Sequence, residues 1–189
     1  RRPPSDCARP QAHRPERVRV LRWTSPSPEA THQAARRLAG VLEASGLAIG
    51  LIGPLGAGKT AFVKGLAEGL GLDPARVASP SFVIASEYPT PRGLRLAHVD
   101  CLRVESEDEL ESAGFLDLLV PGTVLAVEWS DRVSRALPED RLELAFAREL
   151  GPGAATRRGL NAVAFGAVSR AALARWCDAL VRDGFIERS

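Results

Sequence analysis

The 189-residue chain has no methionine, one tyrosine (Tyr88), one asparagine (Asn161) and only two lysines, Lys59 and Lys64. With no methionine even at position 1, the natural start is expected to differ from the residue numbered first. Cysteine is scarce as well. Cys7, Cys101 and Cys177 are odd in number and far apart, with no Cys-x-x-Cys pair. A zinc site or disulfide framework is therefore not expected, and a reducing compartment fits. No apolar run is long enough to cross a membrane. The Pro- and Arg-rich start lacks the apolar segment of a secretory signal. A net charge of +2 does not argue for a nucleic-acid binder.

Enough chain is present for one domain with its own core. Strand-like and helix-like segments alternate. "RVRVLRW" (17–23) reads as a first strand. Residues 24–46 read as a helix capped by Thr24 or Ser27, with Ala30, Ala34, Leu38 and Val41 on one face and Gly46 at its end. "LAIGLIG" is a buried strand, and "TAFVKGLAEGLGL" a helix facing inward through Phe62, Val63, Leu66, Ala67 and Leu70. "SPSFVIASEY", "LRLAHVD", a helix-like "SEDELESAGFLDLL" and the apolar strand "TVLAVEW" follow. "RLELAFA" (141–147) alternates like an edge or antiparallel strand, and a helix is expected from Ser169 to about Asp183. This alternation predicts an α/β layered fold. Its central sheet should be mostly parallel with some antiparallel strands, and helices should lie on both faces. The expected organisation is a disordered basic tail (1–15), a main domain (16–150), a linker or turn (151–159), and an extension (160–189) whose amphipathic helix packs on the domain.

"GPLGAGKT" (53–60) meets the pattern G-x-x-x-x-G-K-S/T through Gly53, Gly58, Lys59 and Thr60. A strand precedes it and a helix follows, as the mechanism requires. Glycines let successive backbone N–H groups surround phosphate oxygens, and the helix N-terminus adds donors and a positive dipole end. Lys59 should reach the β- and γ-phosphates, and the Thr60 hydroxyl should ligate Mg²⁺. In a chain whose other cations are nearly all arginine, Lys59 stands where a compact ammonium is needed. The bound nucleotide is then expected against the loop positions Gly53, Leu55, Gly56, Ala57, Gly58, Lys59, Thr60 and Ala61.

Such a loop needs a carboxylate from a second strand. Asp100 in "LAHVD" and Glu128 in "LAVEW" both end strand-like runs. Glu128 follows the more apolar strand, the usual place for the carboxylate beside the loop. Asp100 would orient the attacking water, act as base, or touch the metal's water shell. For each, a carboxylate satisfied by its neighbours is the alternative. His98 reads as structural rather than catalytic, and Trp129 as packing or as a nucleotide or partner contact. Lone Asn161 cannot supply the Asn-Lys-x-Asp of guanine-specific switches. A small-molecule kinase would need a lid, for which Arg132, Arg135 and Arg141 are candidates, and motor or transporter ATPases need far more chain.

The ordered blocks "GPLGAGKT", "SPSFVIASEY" (79–88), "HVDCLR" (98–103), "ELESAGFLDLL" (109–119) and "VEWSDR" (127–132) resemble the tRNA threonylcarbamoyladenosine biosynthesis ATPases of TsaE (YjeE) type. The likeness runs from about Thr24 to Glu143, and "EATHQAARRLA" (29–39) resembles the family's opening helix, whose Thr31 lies near the nucleotide. The resemblance implies a cytoplasmic, Mg²⁺-dependent ATPase. It would act on a partner transferase complex that threonylcarbamoylates adenosine beside certain tRNA anticodons, touching tRNA only indirectly, with no membrane involved. ATP hydrolysis would reset that complex. By the same resemblance Lys59 and Thr60 hold phosphate and Mg²⁺, Glu128 is the metal-side carboxylate, and loss of Asp100 stops turnover. Ser79 to Phe82 form a switch-like segment near the γ-phosphate, and Trp129 belongs to the V-E-W signature. Leu102 stands where the family usually has tyrosine, and Pro54 where it has an acidic or polar residue. Two other readings are a small-molecule or nucleoside kinase and a nucleotide-gated assembly module without significant hydrolysis.

Overall fold

The computed structural model describes residues 19–80, 85–149 and 155–187. A seven-stranded sheet runs in the order β1-β7-β6-β2-β5-β4-β3. The strands are β1 (Arg19–Ser25), β2 (Gly46–Ile52), β3 (Ala85–Pro89), β4 (Arg95–Asp100), β5 (Thr123–Glu128), β6 (Arg141–Arg148) and β7 (Arg158–Ala164). The helices are α1 (Pro28–Gly40), α2 (Lys59–Gly69), α3 (Glu107–Ser112) and α4 (Ala167–Arg182). The central strands β6, β2, β5 and β4 pair in parallel, while β3, β7 and β1 join antiparallel at the flanks. One core cluster joins residues of α1, α2 and α4 to one sheet face. A second joins α3 and the 3₁₀ turns Phe115–Leu118 and Ser130–Val133 to the other. The chain thus adopts the mixed α/β layering that the alternation predicts.

Local chemistry sets the element ends. The Ser27 hydroxyl accepts the Ala30 N–H at 3.2 Å and Pro28 opens α1, the arrangement expected of an N-cap followed by a proline whose missing N–H costs nothing there. The helix stops at Gly40, short of the expected Gly46, which instead starts β2. Thr31, Ala34, Ala35, Leu38 and Ala39 are its buried residues, so Ala30 and Val41 lie off the core stripe. α1 and α2 approach closely because α2 is bare at the contact. A Cβ on Gly65 would lie 2.2 Å from the His32 carbonyl oxygen, and one on Gly69 2.5 Å from that of Arg36. No side chain fits either position without separating the helices.

Three expectations change. The single helix expected over 106–119 is broken by Gly114 at φ 81° into α3 and a 3₁₀ turn. β6 is no edge strand but lies between β2 and β7, pairing antiparallel with β7 as the other expected alternative. Arg158–Ala164, which straddles the expected linker and extension, is strand β7. The C-terminal helix is equally embedded. The Trp176 indole N–H donates to the Ala34 carbonyl at 2.8 Å, and its ring meets Trp23 and Phe62 edge-on at 5.2 and 6.0 Å. The tail 1–15 and residues 151–154 lie outside the described residues.

α4 begins against a carboxylate from the β6 side. Asp140 accepts the backbone N–H groups of Val168 and Ser169 at 2.8 and 2.9 Å. Burial opposes its charge, but those N–H bonds together outweigh burial and hold the carboxyl below the usual aspartate range. A depressed folded-state value contributes stability above the unfolded value and loses it as pH falls through the folded one. Asp140→Ala should therefore cost about 1 kcal/mol at neutral pH. The difference should shrink once pH falls below about 4, read as paired urea midpoints across pH.

Candidate active site

All the chemistry gathers at the end of the sheet where the parallel strands finish. β2 ends at Ile52 and α2 starts at Lys59, leaving Gly53–Gly58 as the connecting loop. Gly53 takes φ 145°, and a Cβ there would lie 2.5 Å from the Phe146 carbonyl oxygen on β6. Only glycine lets the loop leave β2 so close to its neighbour. Gly56 and Gly58 are left-handed at φ 71° and 106°. Ala57 is fully buried, its N–H donating to the Pro54 carbonyl at 3.1 Å, whereas Leu55 is 72% exposed at the loop's crest. Two arginines brace the loop from the β6–β7 side. Arg148 donates to the Leu55 carbonyl at 2.5 Å, and Arg158 to that of Gly56 at 3.4 Å. Neither was visible as a site residue in the sequence, because only the pairing of β6 with β7 aligns them.

Lys59 is 4% exposed. Its ammonium donates to the Gly53 and Pro54 carbonyls at 2.7 and 3.1 Å and lies 3.8 Å from the centre of the Trp129 ring. Burial lowers its pKa below the ordinary lysine value, with Glu128, then Asp100 and Asp131, pulling the other way. Trp129 is left-handed at φ 58°, the non-glycine residue with positive φ among those described. Such a conformation costs roughly 1–2 kcal/mol in a non-glycine residue. Its backbone N–H is tied to the Leu51 carbonyl at 2.9 Å, which holds the end of β5 against β2.

Thr60 and Glu128, 68 residues apart, meet directly: the Thr60 hydroxyl donates to Glu128 Oε1 at 2.7 Å. The same oxygen lies 2.9 Å from His98 Nε2. Asp100 stands beside Glu128 in the β4–β5 register. Asp100 Oδ2 accepts the Ser79 hydroxyl at 2.5 Å, and Oδ1 the Leu102 N–H at 2.9 Å. Lys59, Thr60, Ser79, Asp100, Glu128 and Trp129 are thus one contiguous set, with Ala61 in the first turn of α2. The buried Thr31 hydroxyl lies 3.2 Å from the Ser27 carbonyl oxygen and 2.8 Å from the hydroxyl of Ser25, which pairs with the loop-bracing Arg158 in the β1–β7 register. Ser81 and Phe82 of the expected switch-like segment lie outside the described residues. Arg141 cannot belong to a lid beside the loop. It starts β6 at the opposite end of the sheet, paired with Glu143 at 2.8 Å. Cys101 is not poised as a nucleophile, since burial and then the Asp100 charge push its thiol up to about 12.

The donor set suits a hard cation, because a hydroxyl and carboxylate oxygens face one another. Among the described residues no group of three or more His, Cys, Asp or Glu side chains forms a metal cage.

The sequence profile of the family "Threonylcarbamoyl adenosine biosynthesis protein TsaE" matches residues 25–157. The chain belongs to this family. A TsaE protein of Streptomyces coelicolor is 41% identical over 136 residues, covering 71% of this chain and 90% of that protein. One from Bacillus subtilis is 38% identical over 131 residues, covering 69% and 80%. The crystal structure of Bacillus subtilis YdiB superposes with a TM-score of 0.61 at 32% identity, over 89% of this chain and 99% of that one. The span that matches the TsaE profile holds the loop, Asp100, Glu128 and the bracing Arg148. No helix among the described residues is long and apolar enough to cross a membrane.

Proposed function

We propose that this TsaE-family chain is a Mg²⁺-dependent ATPase that supports threonylcarbamoylation of adenosine in tRNA. The observation that carries this reading is the Thr60–Glu128 contact of 2.7 Å. It joins the residue after the loop lysine to the carboxylate of the neighbouring strand, where phosphate-loop enzymes assemble a metal site. Loop N–H groups and the α2 N-terminus would receive the phosphates, and Lys59 would supply a cation to their terminal oxygens. Thr60 and Glu128 are the groups that would hold Mg²⁺, which when bound neutralises phosphate charge. Asp100 sits one strand further on, tied to Ser79, and is the group placed to orient water for attack on the terminal phosphorus. Water then displaces ADP: a P–O bond forms to the water oxygen as the bond to the β-phosphate oxygen breaks, and the proton the water loses passes to Asp100 or to the phosphate released.

The names of its relatives support action within tRNA threonylcarbamoyladenosine biosynthesis. The partners in this reading are the protein subunits of the transferase complex, with tRNA engaged through them, in the cytoplasm. Turnover alone is slow and rises with the partner, because hydrolysis resets the complex rather than performing the transfer. The test is phosphate release from Mg·ATP, measured with and without the transferase subunits and again with nucleoside acceptors added. Partner-stimulated release is expected. Stoichiometric phosphorylated acceptor would make the protein a kinase. Complex function sustained equally by a non-hydrolysable analogue would make it a nucleotide-gated assembly module.

A further inference from the structure

His98 has a use beyond filling the core. It lies on β4, two residues before Asp100, and its side chain is 0% exposed. Its Nε2 approaches Glu128 Oε1, the oxygen that also accepts the Thr60 hydroxyl. The other ring nitrogen, Nδ1, is buried with no hydrogen-bond partner among the described residues. These facts decide where the ring proton sits. A bare Nε2 would set a lone pair against a carboxylate oxygen at 2.9 Å in a buried site. A proton on Nδ1 would be a buried donor with no acceptor among the described residues, costing about 1–3 kcal/mol. Both arguments put the proton on Nε2 and leave Nδ1 bare.

We infer that His98 is a positioning residue for the Glu128 carboxylate: its Nε2–H and the Thr60 hydroxyl pin Oε1 and thereby turn Oε2 toward the cation. This rests on the nucleotide-site reading above. Glu128 ends a strand, and without a second donor a single bond from Thr60 lets its carboxylate rotate. Donors behind a metal ligand commonly matter about 10- to 100-fold for affinity.

Two measurements test this. The first needs neither metal nor nucleotide: long-range proton–nitrogen NMR of the apo protein should show the His98 proton on Nε2. A proton on Nδ1 would overturn the inference. The second compares ADP affinity with and without MgCl₂ in the parent, His98→Gln and His98→Leu. Glutamine places an amide N–H near the Nε2 position, whereas leucine places none. The parent should bind ADP more tightly with Mg²⁺. His98→Leu should keep its Mg²⁺-free affinity but lose about tenfold of the Mg²⁺ enhancement, and His98→Gln should retain the enhancement. Parent-like enhancement in a folded His98→Leu would sink the positioning role while leaving the nucleotide site intact. A parent that binds ADP no better with Mg²⁺ would sink the positioning role and the cation site, and a parent that does not bind ADP at all would sink the nucleotide-site reading as well. Should His98→Leu not fold, the NMR tautomer and the His98→Gln enhancement decide.

Discussion

Lys59→Ala should lower ADP and ATP affinity by about 100-fold or more, read by isothermal titration. The ammonium is 4% exposed and is the cation set among the loop carbonyls. A hydrogen bond from a charged donor is worth about 1.5–3 kcal/mol net, and 1.4 kcal/mol is a factor of ten. One bond to each of two phosphates therefore gives at least this loss. Lys59→Arg should not rescue binding. The ammonium fits between the Gly53 and Pro54 carbonyls and the Trp129 ring, 3.8 Å from its centre, where a planar guanidinium has no room. Stability should change little, because the lysine's present hydrogen bonds are to loop carbonyls rather than to the core. Parent-like affinity in Lys59→Ala would mean that phosphate does not bind at this loop.

The second large effect separates binding from turnover. Asp100→Ala should retain ADP affinity within about tenfold, Glu128→Ala should do so in the absence of Mg²⁺, and each should lose about 100-fold or more of single-turnover hydrolysis, the range expected when a positioned acid–base group or charge is removed. The two should fail differently. Glu128→Ala also strands the Thr60 hydroxyl and His98 Nε2, so its loss should include the Mg²⁺ enhancement of binding and a stability cost of about 1–3 kcal/mol. Asp100→Ala removes the acceptor of the Ser79 hydroxyl and the Leu102 N–H but leaves the Thr60–Glu128 contact, and its Mg²⁺ enhancement should survive. Parent-rate hydrolysis in both variants would show that neither carboxylate serves the reaction.

The local parts of the architecture were legible. Gly-Lys-Thr at the mouth of an apolar strand announced the loop, and α2 presents the expected inward face of Phe62, Val63, Leu66 and Ala67. Ser27 announced α1. What stayed hidden depends on pairing between distant segments. "RGLNAVA" carries little strand signal by itself, yet between β1 and β6 it becomes β7. Glu128 and Asp100 could be named as strand-end carboxylates, but not which one touches Thr60, because the β4–β5 register sets that. His98 looked like a core residue for the same reason. The bond that gives it a further role crosses from β4 to β5.

The strand order also bears on how the protein is born. β1, near the start of the chain, reaches the sheet only through β7, near its end, with Arg19 opposite Ala164. During synthesis the first strand leaves the ribosome with no partner and waits for almost the whole domain to follow. Closing so long a loop is entropically slow, so β1 should be the last strand to gain protection from solvent exchange. A chain ended before β7 would leave that strand's apolar side and backbone uncovered, the kind of edge that pairs with strangers.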